Sequence, residues 1–384
     1  MTGRRQFGSV RRLPSGRWQV RYYDPSGRRV TADMTFDAKA AATRHLALVE
    51  ADVARGDWRD PKLGRVTFAD WAERWLATTV HLAPKTRIGY ESILRTRILP
   101  AFGTTPVVAI DTPAVRGFVS DLLAADVPVG TVVKARAVLR LVMATAIEGG
   151  AIKANPCDGV RVGRTRRREM VFLTPAQVED LATAITNPSR GGSYPAYGLL
   201  VRFAAYTGLR AGEIAALRVS RLDLMRGRVD VAESLSEVPG RGLVYGPTKT
   251  YHRRSVAIPR FLVDELADLV AGQAGDAPVF AATTGGPLRW TNFYPRHYRP
   301  AVLEAGLPPS TRFHDLRHTC AALSVAQGAH PEAIKQRLGH STITTTLDVY
   351  GHLFPELEEA LTDRLDAIGR AAEPTPAAKE TPLG

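Results

Sequence analysis

The chain has 384 residues, 45% of them apolar, and carries 51 Lys or Arg against 38 Asp or Glu, a formal net charge of +13. This length indicates two or three domains, and neither an apolar run of about 18 residues for a membrane span nor a secretion signal is found, so we expect a cytoplasmic protein. The charge favours a polyanionic partner, and Cys157 and Cys320 are too few for a disulfide framework.

Much of the positive charge lies at the start, where residues 1–65 hold 14 Lys or Arg against 7 Asp or Glu. Turn signals bracket residues 17–23, and the alternation of apolar and polar residues there predicts a strand. We expect three strands near 7–12, 17–23 and 28–33, followed by a helix over about 37–55. The apolar side chains of the middle strand, Trp18, Val20 and Tyr22, would face a core.

The other face of the predicted middle strand is basic and polar. It presents Arg17, Gln19, Arg21 and Tyr23. Such side chains can read base edges when a small sheet enters the major groove of DNA. The alternative is a solvated basic face with no specific partner.

A bundle of helices is predicted after a linker over residues 56–65. Thr67 is placed as the N-cap of a helix that carries Phe68, Trp71 and Trp75 at helical spacing. Further helices are expected near 84–98, 112–125 and 130–148, the first of these three beginning with Pro84 and broken at Pro100. Their polar faces carry residues that could hold phosphates or simply be solvated, among them Lys85, Arg87 and Arg136.

A basic run over residues 161–168, which includes Arg166 and Arg167, is predicted to tether the bundle to a last domain. It could cross DNA or be a plain exposed linker. Thr174 and Pro175 then begin a helix, and strands are expected at 228–232, 243–250 and 254–258, the last two forming a hairpin. The tail, 371–384, has the composition of a disordered segment.

Several residues of the last domain have the chemistry needed to attack a phosphodiester without a metal. Arg210 and Arg317 could bind the non-bridging oxygens, because a guanidinium holds two oxygens at once and stays charged. Tyr350 could act as the nucleophile, and Lys249 could protonate the leaving oxygen. Taken singly, each of these residues also has an ordinary structural explanation.

A metal site is the less favoured interpretation of the histidines. His314 and His318 lie four residues apart on a predicted helix and would share a face. The motif lacks the glutamate of His-Glu-x-x-His, and no third ligand is evident, so we predict neither a metal nor another cofactor.

The order of these residues resembles the tyrosine recombinase family of phage integrases. The motif set comprises Thr-Gly-Leu-Arg210-x-x-Glu213, Lys249, His314-x-x-Arg317-His318, Leu-Gly-His340 and Tyr350. The resemblance implies a multidomain protein. Residues 1–60 would form an arm-type DNA-binding domain, a small three-stranded sheet with one helix, and residues 66–155 an all-α, four-helix core-binding domain of SAM-like fold. Residues 170–370 would form a mainly α catalytic domain with a small antiparallel sheet, an α+β fold.

The resemblance also implies a role for each matching residue. Tyr350 would attack the scissile phosphate and leave a 3′-phosphotyrosyl link with a free 5′ hydroxyl. Arg210 and Arg317 would hold the phosphate, and His314 and His340 would assist by proton transfer and hydrogen bonding. Glu213 would brace the site, and Lys249 would be the general acid, although Lys153 and Lys335 are alternatives by residue type.

The partners implied are double-stranded DNA at attachment sites and further copies of the chain, which assemble as a tetramer on two paired sites. A host DNA-bending factor and a directionality factor are the accessory proteins such a reaction would use. Two other functions stay open: a Xer-like resolvase of DNA dimers, against which residues 1–65 argue, and a DNA-binding regulator of the same fold without catalysis. Residues 353–368 have apolar positions suited to a packed helix, within the chain or on a neighbour.

Overall fold

The structure is a computed structural model that describes residues 7–163, 169–248, 253–351 and 356–371. The chain divides into two compact units, residues 1–167 and 168–384. The multidomain architecture predicted from the sequence is confirmed: a small sheet with one helix, a helical bundle, and a mainly helical part with small antiparallel sheets. Within the described ranges, no helix is both long enough and apolar enough to cross a bilayer.

The first unit begins with an antiparallel sheet in the order β1-β2-β3, on which one helix packs. These elements are β1 (Gly8–Arg12), β2 (Trp18–Tyr23), β3 (Arg29–Phe36) and α1 (Lys39–Ala54). Val20 and Tyr22 of β2 are buried against Leu46 of α1, as the alternation of the strand predicts. The polar residues of β2 therefore lie on the opposite face of the sheet.

The rest of the first unit is a helical bundle with its own apolar core. Its helices are α2 (Pro61–Gly64), α3 (Phe68–Thr78), α4 (Pro84–Ile93), α5 (Leu99–Phe102), α6 (Thr112–Ala124) and α7 (Val129–Glu148). The Thr67 hydroxyl accepts a hydrogen bond from the backbone N–H of Asp70, which confirms the predicted N-cap of α3. Phe68, Trp71 and Trp75 are buried in the bundle core.

Pro100 does not break the helix that begins at Pro84, contrary to the prediction. A π turn over Leu94–Ile98 joins α4 to α5, and the N–H of Leu99 donates to the carbonyl of Leu94 five residues earlier. The wider turn relieves the clash of the proline ring with the preceding turn and accommodates its missing N–H. The helical path therefore continues to Phe102.

The second unit packs helices around one large apolar core and two small antiparallel sheets. Its first helices are α8 (Pro175–Thr186), α9 (Pro195–Thr207) and α10 (Ala211–Ala215), and its strands are β4 (Leu222–Asp223), β5 (Arg228–Val231), β6 (Glu233–Val238), β7 (Gly242–Pro247) and β8 (Arg254–Ala257). Thr174 caps α8 in a capping box with Gln177, as the Thr-Pro start predicts.

The hairpin predicted between residues 243–250 and 254–258 is wrong. β7 pairs with β6, a strand that the sequence pattern did not reveal, whereas β8 pairs with β5. Gly240 and Gly242 both have positive φ, 74° and 71°, and close the tight β6–β7 turn. β6 was missed because its sequence, Glu-Ser-Leu-Ser-Glu-Val, is mostly polar.

The remaining helices carry most of the predicted site. They are α11 (Arg260–Val270), α12 (Trp290–Phe293), α13 (Arg299–Glu304), α14 (Phe313–Ala326), α15 (Pro331–Leu338), α16 (Ile343–Tyr350) and α17 (Glu356–Ala371). A second π turn, Tyr294–Tyr298, joins α12 to α13 just ahead of Pro300. The tail predicted to be disordered lies, from residue 372 onward, outside the described residues.

Candidate active site

The C-terminal end of α15 binds three arginines from distant parts of the chain. A helix leaves its last carbonyls without partners inside the helix, and cations are favoured at that end. Here each of three consecutive carbonyls accepts a hydrogen bond from a different guanidinium: Arg337 O from Arg254 Nε (3.2 Å), Leu338 O from Arg317 Nη2 (2.6 Å) and Gly339 O from Arg210 Nη2 (3.0 Å). We call these three carbonyls the arginine socket.

Glu213 ties two of these arginines together from the other side. Its carboxylate is buried and accepts from Arg210 Nη1 (2.8 Å) and from both terminal nitrogens of Arg254 (3.0 and 2.7 Å). Burial acts to raise the pKa of Glu213, but the hydrogen bonds and charges of Arg254 and then Arg210 outweigh it, so the pKa lies below its ordinary value. Glu213 is therefore ionised at neutral pH and fixes both guanidinium planes.

Arg317 lies on α14 and is held through its two terminal nitrogens. Besides its bond to the arginine socket, its Nη1 donates to the carbonyl of Gly208 at 2.6 Å. Gly208 ends α9 in the left-handed conformation, with φ 69°, and a β-carbon there would lie 2.6 Å from Leu338 Cδ2. Glycine meets both conditions, because it has no β-carbon. The glycine of the Thr-Gly-Leu-Arg motif therefore positions the backbone carbonyl that binds Arg317.

The cluster has more positive than negative charge. Glu213 pairs with Arg210 and Arg254, whereas the third guanidinium, Arg317, is bound only to backbone carbonyls. Burial, and then the nearby Arg210, lower the pKa of Arg317 to about 9, which still leaves the group charged at neutral pH. An anion would relieve this repulsion, and a phosphate diester has two oxygens that match guanidinium forks.

Tyr350 is the last residue of α16 and lies beside this cluster. Its side chain is buried against Ala321, Val325, Ile334 and Leu338, with 1% of its surface exposed. Its hydroxyl lies 2.8 Å from Nδ1 of His318. Burial raises the pKa of Tyr350 to about 12, against the opposing effect of Arg317, so the phenol is protonated at neutral pH.

One further histidine lies beside the phenol, and another lies beside His318. The His340 ring stacks at 6.5 Å from that of Tyr350, and its Nδ1 lies 2.9 Å from the hydroxyl of buried Thr346. Burial, followed by Arg317 and Arg210, lowers the pKa of His340 to about 4, so the ring is neutral at pH 7. His314, one turn before His318 on α14, lies 5.0 Å from it between ring centroids. The His314 side chain is exposed.

The structure thus brings together most of the catalytic residues named from the sequence: Arg210, Glu213, Arg317, His340 and Tyr350, with His314 beside them. Lys249 lies outside the described residues, in the segment 249–252 between β7 and β8. Among the described residues, no group of three or more His, Cys, Asp or Glu is placed to hold a metal ion.

Two residues of the site were missed by the sequence reasoning. Arg254 alternates with buried Val256 along β8, so the period of two already indicated that it faces inward. His318 stands in the recombinase-like motif but was given no catalytic role, and its spacing from His314 on the same helix face suggested only a metal ligand. Its contact with Tyr350 joins two helices and had no sequence signal.

The basic face predicted on β2 is present in the first unit. Arg11 and Arg21 both donate to Gln19 Oε1, at 2.9 and 3.1 Å, and Tyr23 is 45% exposed. Arg17 instead pairs with Asp37, and its Nη2 donates to the backbone carbonyl of Thr35 at 2.8 Å.

The basic residues predicted on the bundle differ in their surroundings. Lys85 is exposed, whereas Arg87 pairs with Glu91 at 3.1 Å. Arg136 is partly buried and donates to the carbonyl of Val160 at 2.6 Å, a contact that braces the end of the bundle. Arg166 and Arg167 lie outside the described residues.

Three family models match the chain in succession. Residues 6–55 match the N-terminal domain of phage integrases, residues 67–123 match the N-terminal SAM-like domain of phage integrases, and residues 171–356 match the phage integrase family. The matches follow the order of the elements described above.

Relatives are similar over nearly the whole chain. A Mycobacterium tuberculosis protein described as a prophage phiRv2 integrase is 30% identical, over 90% of this chain and 91% of its own length. The integrase of Mycobacterium phage D29 is 28% identical, over 88% and 91%. The ICEBs1 integrase of Bacillus subtilis is 27% identical, over 94% of this chain and 100% of its own.

Solved structures share the fold. The Tn1549 transposon integrase in complex with a circular intermediate DNA superimposes with a TM-score of 0.69 at 22% identity, covering 78% of this chain and 99% of that one. A lambda integrase dimer bound to a COC′ core site superimposes with a TM-score of 0.55 at 18% identity, covering 90% and 96%.

Proposed function

We propose, on the premise that this chain belongs to the phage integrase family, that Tyr350 cleaves and rejoins DNA strands on phosphates held by Arg210 and Arg317. The chain is a site-specific integrase of the tyrosine recombinase type. The observation that carries the residue assignment is the excess of three buried or half-buried guanidiniums over one carboxylate beside a tyrosine hydroxyl.

The proposed reaction exchanges one ester for another. Tyr350 Oη forms a bond to phosphorus, the bond from phosphorus to the 5′ oxygen breaks, and the leaving oxygen takes a proton from Lys249. A 3′-phosphotyrosyl link remains, and attack on it by a 5′ hydroxyl reverses the steps. Because the link keeps the free energy of the phosphodiester, rejoining needs no ATP.

The arginines would act on the charge that develops on the phosphate. Arg210 keeps about a fifth of its side chain exposed, and its remaining N–H groups can face a ligand, while Glu213 fixes its plane. Donors that are already oriented stabilise a transition state without reorganisation, and the loss of one typically costs about 10²–10³ in rate. His314 and His340 would assist by hydrogen bonding and proton transfer.

Recognition of the attachment sites would involve the first unit. The Arg11–Gln19–Arg21 group lies on one open face of the sheet, and exposed Tyr23 extends it. Arginine and glutamine side chains on a sheet can bind base edges in the major groove. Lys85, with Arg166 and Arg167, would contact phosphates.

Assembly on DNA would use α17. Leu365 and Ile368, one turn apart, are 59% and 67% exposed. A second copy of the chain would cover apolar side chains in that arrangement. Such an assembly is supported by lambda integrase, which has been solved as a tetramer bound to a Holliday junction. Integration and excision would further use a host DNA-bending factor and a directionality factor.

Removing the Tyr350 hydroxyl tests the proposal. Tyr350→Phe protein, incubated with a nicked duplex that spans the attachment site, should form no covalent adduct on a denaturing gel, whereas the parent should. Tyr298→Phe is the matched control: its buried hydroxyl has no hydrogen-bond partner among the described residues, so its removal should leave the adduct yield unchanged. An equal yield from Tyr350→Phe would refute the nucleophile.

A further inference from the structure

His318 is hydrogen-bonded to the proposed nucleophile. Its Nδ1 lies 2.8 Å from Tyr350 Oη, within the range of a short O–H···N hydrogen bond. The contact joins α14 to α16, and the rings are 5.8 Å apart. Arg317 lies on the same helix, and its charge acts on His318, so the two groups are near each other.

The direction of this hydrogen bond follows from the burial of the phenol. Tyr350 is protonated and buried, and a buried O–H group needs an acceptor. Among the described residues, His318 Nδ1 is the one hydrogen-bond partner found for this hydroxyl. The phenol therefore donates to an unprotonated Nδ1, which makes His318 the neutral tautomer with its proton on Nε2.

We infer that His318 is a further catalytic residue, the general base that takes the proton of Tyr350 as its oxygen bonds to phosphorus. This inference rests on the proposed function of Tyr350. The Oη–H bond breaks, Nδ1 gains the proton, the Oη–P bond forms, and the bond to the 5′ oxygen breaks. In rejoining, the imidazolium returns the proton to the departing phenol, so no external acid or base is consumed.

The surroundings of His318 keep it in the accepting form. Burial lowers its pKa, Asp315 opposes this effect, and Arg312 and Arg317 add to it. His314 faces it from the preceding turn, while Tyr350 and His340 face it from beyond α14. The free phenol holds its proton too firmly to ionise first, so the transfer occurs during attack, when bonding to phosphorus makes the phenol acidic.

His318→Asn separates this role from simple positioning. The Asn Oδ1 atom can replace Nδ1 as an acceptor for the phenol, but an amide does not take up a proton in this pH range. In single-turnover cleavage of the nicked attachment-site duplex, we expect the rate to fall by about 10²-fold or more. The parent rate should fall as pH drops through the lowered pKa of His318, whereas the variant rate should keep rising with pH.

A duplex with sulfur in place of the bridging 5′ oxygen isolates the proton transfer from Tyr350. A thiolate leaves without taking a proton, so the general acid is no longer needed. His318→Asn should stay slow on this DNA, and imidazole should partly restore His318→Ala. Equal melting temperatures and equal DNA binding of parent and variants establish that the fold is retained. A parent-like rate and pH profile for His318→Asn, with adduct formed by the parent, would overturn the role of His318 alone. No adduct from the parent would overturn the proposed function and this inference together.

Discussion

Glu213 shows why a single buried carboxylate organises the site. An isolated buried charge is unfavourable, but Glu213 accepts four hydrogen bonds, from Arg254, from the Arg210 side chain and from the Arg210 backbone N–H. Removing it would leave two guanidiniums facing each other and the cationic Arg317 without compensation. Its position three residues after Arg210 gives it both the side chain and the N–H of that residue.

Glu213→Gln should therefore lower the free energy of unfolding by roughly 3–5 kcal/mol, measured by urea denaturation at pH 7. The pKa of Glu213 is depressed in the folded state, so its stabilisation is present above the ordinary value of 4.5 and is lost as pH falls below it. The stability of the Glu213→Gln variant should therefore lack this loss as the pH falls below 4.5.

Glu332→Gln is the matched control for this prediction. Glu332 bonds to Lys335 at 2.9 Å on a partly exposed face of α15, and solvent screens that pair, so its loss should change the stability little. Equal effects of the two substitutions on the denaturation midpoint would contradict the role given to Glu213.

At this scale, the sequence predicted residues that belong to motifs and missed those defined by contacts. Arg210, Arg317, His340 and Tyr350 stand in a fixed order, and the structure places them in one region. His318 has a role only because α14 and α16 pack side by side, and its spacing from His314 suggested a metal instead. Arg254 was missed because it lies next to Arg253 in a basic stretch, where a charged residue is expected to face solvent. The alternation with buried Val256 nevertheless places it on the inner face of the strand.

Among the elements, the ends of α9 and α15 are decisive, because each ends in a glycine with positive φ whose carbonyl binds an arginine. Gly208 has φ 69° and Gly339 has φ 66°. Their carbonyls accept from Arg317 and Arg210, respectively. Two helix ends thus supply both the turn geometry and the acceptors for the site.

Gly208→Ala should destabilise the protein by more than a left-handed alanine alone would. The conformation costs about 1–2 kcal/mol for any β-carbon, and here that carbon would also lie 2.6 Å from Leu338 Cδ2 and 3.0 Å from Cys320 Sγ. We expect a lower melting temperature than that of the parent protein and a lower yield of covalent adduct. Gly272→Ala is the control, with φ 72° and open space around the added carbon. Similar melting temperatures would contradict the close-packing argument.

The pairing of β8 was not predicted because the pairing partner of a strand is set by residues far away in sequence. β8 carries the alternation of a strand, but nothing local states that it lies beside β5 rather than β7. A proline ordinarily breaks a helix, but the π turn before Pro100 lets the helical path continue. The capped starts of α3 and α8 were predicted because capping is a local interaction.

At the scale of the whole molecule, α17 leaves an apolar pair without cover in the described chain. Replacing both Leu365 and Ile368 by Asp should prevent higher-order assembly on DNA carrying two sites, while binding to a single site is kept. Mass photometry of the protein–DNA complexes would measure this. Leu303→Asp, at an exposed position of α13, is the control. Unchanged assembly by the double variant would show that another surface joins the copies.

The arginine socket also limits when the enzyme can be active. Its carbonyls belong to residues 337–339, and the guanidiniums they bind come from positions up to 129 residues earlier. A chain still emerging from the ribosome, or one cut by a protease ahead of α15, has the arginines but no place to align them. If Arg210 and Arg317 hold the phosphate as proposed, strand cleavage therefore requires that synthesis has passed α15.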